Sequence, residues 1–600
     1  MLTLEQLPTR SEIGPELKWK LEDIYPDAAD WEKDFAKVKK LSAKLLKYKG
    51  RLASSSTILL EALNLFCELF STVETVYAYA RMRRDEDNAD SSRQAASERA
   101  SGLISRVSSE CSFLDPEILD IPRSTLLNML KEEPGLRVYK HYLEDLIRQK
   151  KHILDKQLEE VLALAGEVVS GPRNVYSIFN NADIKFSSVI DENGKEVELT
   201  KGRYSLMMEN RDRRVRQDAF RSLYSSYKAL RNTLAANYNA SIKADWFGAR
   251  VRKYRCCLEA ALDRNKISPR VYNTLIETTN RNLHLLQRYL AVRKHMLKVD
   301  ELHPYDLYVP IVDLPERKIP YTEAKKIVLA GLKPLGEKYL ADMDRGMESG
   351  WIDVMESQGK TGGAYSWGAY RTHPFVLLNH QDNINSVFTL AHEMGHSMHT
   401  YYTSKTQHFI NSEYPIFLAE VASTVNETLL MQYMIGNTED RKEKAWLLNH
   451  YLEEFRGTMF RQVMFAEFEK ITHVEIEKGG ALTADFLCAS YMELNKKYFG
   501  SGLVLDSELE MEWARIPHFY RDFYVYQYAT GFASAASISH QILNEAAPAV
   551  ERYLEFLSSG RKDYPLVLLK KAGVDLSSPE PVQDAFYQFE NILNQMEALL

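Results

Sequence analysis

The sequence has little cysteine, no long apolar run and no strong excess of either charge. Its five cysteines form no paired spacing among 600 residues, so we expect free thiols in a reducing compartment rather than a disulfide framework. The net charge of −7 argues against a nucleic-acid-binding protein, because such proteins carry a basic face. No stretch approaches the ~20 apolar residues that span a bilayer, and the N-terminus lacks the features of a secretory signal. We therefore predict a cytoplasmic protein without a nucleic-acid or membrane partner.

Most of the sequence shows the periodicity of α-helices. Leucines recur at helical spacing through the first 130 residues and again towards the C-terminus, which predicts a mainly α fold. Two regions break the pattern. Asn193-Gly194 lies between two alternating segments and predicts a hairpin, and a glycine-rich stretch from Gly346 leads into the apolar run Phe375–Leu378, which predicts a loop and a short strand. We predict an N-terminal helical region over residues 1–200 and a second domain over residues 201–600.

One helix carries a metal-binding motif, His392-Glu393-Met394-Gly395-His396. Asp382 is the predicted N-cap of this helix. Histidines four residues apart lie on one helical face, one turn from each other, so both imidazoles can bind one Zn²⁺. Glu393 follows the first ligand and can act as the general base towards water. Gly395 is a poor helix former, which indicates the close approach of another backbone or of a ligand.

The third ligand is predicted to come from a later helix. Positions 399 and 402 are His and Tyr, which excludes the metzincin pattern, and His399 lies too far along the helix to be a favoured ligand. Glu420 stands in an apolar segment where an unpaired carboxylate would be costly, and metal ligation would remove that cost. Glu427 follows two turns later and could orient a ligand histidine.

Several segments together resemble oligoendopeptidase F, within the thimet-oligopeptidase-like family of metallopeptidases. They are Trp19–Pro26, Lys360–Ser366, Leu378-Asn379, the motif helix, Glu420–Thr424 and His518–Gly531. The resemblance covers nearly the whole chain. It implies a helical, two-lobed, clam-like fold with a deep substrate channel and a small β element near the active site. It also implies short peptides as substrates.

The resemblance further implies the roles of individual residues. His392, His396 and Glu420 would bind Zn²⁺, Glu393 would be the base, and Glu427 would lie behind the ligands. The other implied catalytic residues are His518, Tyr524 and Tyr528, which would contact the substrate and stabilise the oxyanion. The spacing leaves open whether Tyr524, Tyr526 or Tyr528 supplies the important hydroxyl group.

The predicted activity is zinc-dependent hydrolysis of internal bonds in short peptides. Residues 201–600 are the predicted catalytic domain, and residues 1–200 would contribute to the channel wall. We expect the run Phe375–Leu378 to offer a free strand edge to the substrate backbone, and the glycine-rich loop to close over it. Two alternatives remain. The same fold could remove C-terminal dipeptides, with Arg515 or Arg521 holding the terminal carboxylate, or the chain could be a non-catalytic zinc-containing peptide-binding protein. The sequence does not predict an oligomeric state.

Overall fold

The computed structural model describes residues 6–313 and 317–599, and it is mainly helical. The first thirteen helices are α1 Ala28–Leu45, α2 Ser56–Glu86, α3 Ser91–Cys111, α4 Leu114–Asp120, α5 Arg123–Glu132, α6 Lys140–Gln149, α7 Lys156–Val169, α8 Gly171–Ile178, α9 Lys201–Met208, α10 Arg213–Ala229, α11 Arg231–Val251, α12 Cys257–Asp263 and α13 Pro269–Arg281. The others are α14 Leu283–Leu297, α15 Tyr321–Gly331, α16 Glu337–Glu348, α17 Ile384–Thr406, α18 Phe409–Ser412, α19 Ile416–Asn437, α20 Arg441–Phe455, α21 Arg461–Glu477, α22 Ala484–Phe499, α23 Tyr526–Glu545, α24 Ala547–Leu557, α25 Pro565–Lys571 and α26 Glu580–Glu597. The predicted fold class is confirmed.

The strands form two small sheets. Strands β1 (Val189–Ile190) and β2 (Glu196–Val197) pair antiparallel around Asn193-Gly194, so the predicted hairpin is confirmed. Strands β3 (Ile352–Met355), β4 (Tyr365–Trp367) and β5 (Phe375–His380) form the second sheet in the order β3-β5-β4. Strand β5 pairs parallel with β3 and antiparallel with β4.

The chain divides into two compact units, each assembled from separate stretches. Unit 1 contains residues 6–151, 317–434 and 538–573, and unit 2 contains residues 152–313, 435–537 and 574–599. This division by packing does not test the predicted boundary at residue 200, which stays a prediction. All five cysteines are free thiols, as predicted.

Within unit 1, apolar side chains of α1 to α6 form one continuous core. A second cluster, which includes Trp19, Ala78, Phe375 and Leu377, joins α2 to β5. Sequence separation is large in both clusters, so this core depends on tertiary packing rather than on local propensity. The second cluster fixes the small sheet against α2.

Helix α2 is the one helix of the described residues that is long and apolar enough to cross a membrane by length and composition. Its fully buried leucines, Leu59, Leu63 and Leu69, belong to the core of unit 1. Its C-terminal end carries buried Asp85 and Glu86, both in ion pairs with arginines. A helix buried in a protein core can have the same length and composition as a membrane-spanning helix, and α2 contributes to the core of unit 1.

Candidate metal centre

Helix α17 carries the two motif histidines. The helix begins at Ile384, and the side chain of Asn383 caps it by accepting a hydrogen bond from the Ser386 amide at 3.0 Å. The predicted cap, Asp382, is wrong by one position, because Asp382 adopts a left-handed backbone conformation with φ 48°. From this start, His392 and His396 lie one turn apart, and their ring centroids are 4.9 Å from each other.

Helix α19 packs directly against α17 at Gly395. A Cβ atom at Gly395 would lie 2.6 Å from Ser423 Cα and 2.7 Å from the carbonyl oxygen of Ala422. Any side chain at this position would therefore force the two helices apart, and the predicted close approach at Gly395 is confirmed. Asn426 strengthens the contact, because its amide donates a hydrogen bond to the Ala391 carbonyl oxygen at 3.0 Å.

This approach places Glu420 beside both histidines. Glu420 Oε2 lies 3.6 Å from His392 Nε2 and 3.5 Å from His396 Nε2. Ligand atoms that bind one tetrahedral zinc at about 2.1 Å are about 3.4 Å apart. Among the described parts of the chain, these three residues form the one group of metal-ligating side chains whose donor atoms all lie within 4.8 Å of one another. Two imidazole nitrogens and a carboxylate oxygen suit a divalent metal such as zinc.

Glu427 fixes the orientation of His392. Its Oε2 atom lies 3.1 Å from His392 Nδ1, so Nδ1–H donates to the carboxylate. In the neutral ring, the lone pair that a metal would bind is therefore on Nε2. Burial would lower the pKa of His392, but the hydrogen bond to Glu427 and the nearby carboxylates raise it to about 9. The contact with His396 lowers the pKa of Glu420 to about 2, although burial opposes that change.

Glu393 is the carboxylate next to the ligands, and it does not belong to the cluster of ligand atoms. Only 7% of its surface is exposed. Burial raises the pKa of Glu393, and the opposing charges of His392 and His396 do not cancel that effect. A carboxylate so placed can take up a proton near the metal without ligating it.

His399 lies on the same helix but outside the ligand group. It is almost completely buried, and its ring stacks on Tyr414 with centroids 3.7 Å apart. Burial lowers the pKa of His399 to about 3, so the ring is neutral. The preference for Glu420 over His399 as the third ligand agrees with this geometry.

The sheet beside α17 corrects the prediction of a free strand edge. Strand β5, which contains Phe375–Leu378, is the central strand and has a neighbour on each side. The two edge strands of this sheet are β3 and β4. Strand β4 lies against α17, since Ser366 Oγ and Ser397 Oγ are 2.8 Å apart. The sequence could not show this, because an apolar run indicates a buried strand but not its place in the sheet.

The glycine-rich loop before β4 is tied down by hydrogen bonds. The Thr361 amide donates to the Asp85 carbonyl oxygen at 2.9 Å, and the Tyr365 hydroxyl donates to Asp85 Oδ2 at 3.0 Å. The Asn379 amide donates to the carbonyl oxygens of Thr361 and Gly363. These bonds favour a fixed wall over the predicted closing lid. Sequence reasoning missed Asp85, whose position at the end of an apolar helix was the only signal.

In unit 2, the three other predicted residues come together. The ring of His518 lies 6.0 Å from that of Tyr524 and 6.0 Å from that of Tyr528. Burial and the charge of Arg521 lower the pKa of His518. Phe523 precedes Tyr524 with a left-handed φ of 49°, and Glu469 accepts its amide hydrogen bond at 3.0 Å.

Two neighbouring tyrosines and Arg515 pack inside unit 2. Tyr526 is 2% exposed and its ring lies 5.2 Å from that of Tyr272. Tyr520 stacks on Tyr176 at 4.2 Å and accepts a hydrogen bond from Asn237. The guanidinium of Arg515 lies over the rings of Tyr204 and Tyr224. Because the Tyr526 ring is part of the core, Tyr524 and Tyr528 remain as candidates for the hydroxyl group that stabilises the oxyanion.

The fold and this site together define a class. Two histidines one turn apart, a carboxylate from a second helix and a buried glutamate between the histidines are the arrangement of a metallopeptidase site. Comparison with known proteins identifies the family. Residues 206–588 match the model of Peptidase family M3, and residues 117–186 match that of Oligopeptidase F.

Individual relatives of this family match nearly the whole chain. The chain is 47% identical to oligopeptidase PepF of Bacillus subtilis (strain 168) over 99% of this chain and 89% of that protein. It is 39% identical to an oligoendopeptidase F homolog of Lactococcus lactis over 98% of both chains. The crystal structure of oligoendopeptidase-F from Enterococcus faecium superposes with a TM-score of 0.74 at 38% identity, over 95% of this chain and 99% of the other. The chain belongs to peptidase family M3, in its oligopeptidase F group.

Proposed function

We propose that this peptidase is a zinc-dependent oligoendopeptidase that hydrolyses internal bonds of short peptides. The observation that carries the proposal is the ligand group of His392, His396 and Glu420, whose separations of 3.5 and 3.6 Å suit a single tetrahedral ion. Family membership independently supports peptide hydrolysis.

The ligand residues would hold the metal by His392 Nε2, His396 Nε2 and a Glu420 oxygen. When bound, the metal supplies a Lewis acid that polarises water and the scissile carbonyl group. Glu427 keeps His392 in the tautomer that ligation needs, because its carboxylate accepts the hydrogen bond from Nδ1–H. Two imidazoles and one carboxylate leave a coordination position for the reaction, as catalytic sites require.

Glu393 is the proposed general base. Its carboxylate accepts a proton from the attacking water and passes that proton to the leaving amine nitrogen. Burial on α17 keeps the carboxylate in one place beside the ligands. A fixed, largely dehydrated carboxylate reorganises little during the reaction, which is the physical advantage of such a site.

The substrate backbone is proposed to pair with the edge strand β4. This strand lies against α17, which holds both histidines and Glu393, and it is an edge of its sheet. An extended peptide added to that edge would gain main-chain hydrogen bonds whatever its sequence. Tyr365 and Thr361 anchor the strand to Asp85, so the edge is preformed.

His518, Tyr524 and Tyr528 are proposed to contact the substrate and stabilise the oxyanion. Loss of one oxyanion donor typically lowers kcat by about 10²–10³-fold. We therefore expect Tyr524→Phe or Tyr528→Phe to lower kcat by about a hundredfold, with KM nearly unchanged. Steady-state kinetics on one blocked peptide would measure this, with Tyr587→Phe, an exposed tyrosine of α26, as the matched control. Values within twofold of the wild type for both variants would refute the role.

Metal dependence is tested with an internally quenched peptide blocked at both ends. We expect cleavage to stop when a chelator removes the metal, and to return when zinc is added. Because both ends are blocked, a product cut internally also rules out the removal of C-terminal dipeptides, which needs a free carboxylate. Cleavage that persists in fully metal-free protein would contradict the proposal. A metal-loaded chain that cuts only peptides with free C-termini would favour the dipeptidase alternative.

A further inference from the structure

A half-open cavity of about 300 Å³ lies in unit 1 beside the loop end of β4. Its lining includes Gly363, Ala364, Asn379, Gln381, Ser386 and Thr389. Pockets of this size lie at the small end of the range for bound ligands. The cavity therefore has room for a single side chain rather than for a whole peptide.

Helix geometry places this cavity next to the catalytic residues. Thr389 precedes His392 by three residues and Glu393 by four, so it lies on their face of α17, one turn away. Ala364 directly precedes β4, and two residues later Ser366 contacts Ser397. The segment from Gly363 to Ser366 therefore passes α17 at Thr389, through the shared cavity, and at Ser397, through the serine contact. The two histidines and Glu393 lie between these two positions on the helix.

The walls of the cavity are held in place. Asn379 donates hydrogen bonds to the carbonyl oxygens of Thr361 at 3.0 Å and Gly363 at 2.7 Å. On the α17 side of the cavity, Ser386 belongs to the capped first turn of the helix, where its amide donates a hydrogen bond to Asn383. Because both walls are fixed, the cavity is preformed, and filling it costs little reorganisation.

The chemistry of the lining selects an occupant. No Asp, Glu, Lys or Arg is among the described residues that line the cavity, and burial lowers the pKa of its one histidine, His380, so that this ring is neutral. A charged side chain would lose water there without gaining an opposite charge, which is unfavourable. The free-energy cost of moving an uncharged side chain with hydrogen-bonding or aromatic groups from water into the cavity would be much smaller.

We propose that this cavity is the specificity subsite for one uncharged, large side chain of the peptide, next to or near the scissile bond. The inference rests on the proposed function, since it assumes a peptide paired with β4. Thr389 would be the main determinant of side-chain size. Gly363 and Ala364 leave room in the cavity because they carry little or no side chain.

The test uses blocked peptides that differ at single positions around the cut bond, carrying Gly, Gln, Phe, Lys or Asp. For the wild type, we expect one position at which Phe and Gln give kcat/KM about tenfold higher than Lys and Asp. The variant Thr389→Phe should lower kcat/KM for the Phe peptide about tenfold more than it lowers kcat/KM for the Gly peptide, a size typical of pocket contacts. Asn385→Phe is the matched control, because Asn385 is exposed on the same helix and outside the cavity.

Binding measurements separate this inference from the proposed function. Dissociation constants of the same peptides would be measured by calorimetry. They report whether the cavity selects a side chain even if the peptides are not cleaved. An equal loss for the Gly and Phe peptides, or no change for either, would overturn the subsite. Cleavage of the Gly peptide by the wild type would support the proposed function in either case.

Discussion

Replacing Glu393 with glutamine is expected to lower kcat by about a thousandfold while the chain keeps its metal. The amide has nearly the same shape but cannot accept the proton of the attacking water, and a general base contributes about 10²–10⁴-fold to the rate. The three ligand side chains are unchanged, so the metal content should equal that of the wild type. Stopped or discontinuous assays with the blocked peptide would give kcat, and elemental analysis of the same sample would give the metal content.

The control for this experiment is Glu413→Gln. Its carboxylate is 74% exposed and lies 3.9 Å from Arg561, outside the ligand group, so turnover should stay within twofold of the wild type. If Glu393→Gln kept more than about a tenth of the wild-type kcat, the role of Glu393 would be refuted. Loss of a general base should lower kcat by about 10²–10⁴-fold. Loss of both turnover and metal would instead show that Glu393 supports the ligands.

Removal of the third ligand by Glu420→Ala is expected to abolish metal binding and activity together. Only two imidazoles would remain, and catalytic zinc sites normally have three protein ligands. After dialysis at micromolar protein concentration, we expect less than about one tenth of a metal ion per chain. Circular dichroism should show an intact helical fold, because Glu420 is about one third exposed and its apolar neighbours on α19 are unchanged.

Glu427→Gln is the graded counterpart of that variant. It keeps all three ligands but weakens the contact that orients His392, which should lower metal affinity by about 10–100-fold. Competition with a chromogenic chelator would measure both variants on one scale. Normal metal content in Glu420→Ala would remove Glu420 from the ligand set. An affinity of Glu427→Gln equal to that of the wild type would remove the orienting role of Glu427.

Much of this site was readable in the sequence because it is local. His392, Glu393 and His396 belong to one helix, and helical spacing alone places the two histidines on a common face. Glu420 could be found only by its chemical surroundings, an acid in an apolar segment. The resemblance to a known family supplied what spacing could not, namely that His518, Tyr524 and Tyr528 belong together.

The errors have a common physical origin. The N-cap shifted from Asp382 to Asn383, because the choice of cap depends on the left-handed conformation of Asp382, which no local propensity demands. The free strand edge was assigned to β5 instead of β4, because strand order follows from pairing between distant segments. The closing lid, which was inferred from glycine content, stays a prediction; the hydrogen bonds to Asp85, about 275 residues earlier in the chain, favour a fixed loop.

The sequence by itself determined the helical class, the motif on α17, the glycine that allows a second helix to approach, and the chemical type of each ligand. Tertiary structure alone decided that Ser423 meets Gly395, which brings Glu420 to 3.5 Å from His396. It also decided that β4, rather than β5, forms the sheet edge beside α17, and that a cavity opens beside Thr389. These features depend on contacts between segments far apart in the chain, and such contacts are set by the packing of the whole core rather than by the preferences of neighbouring residues.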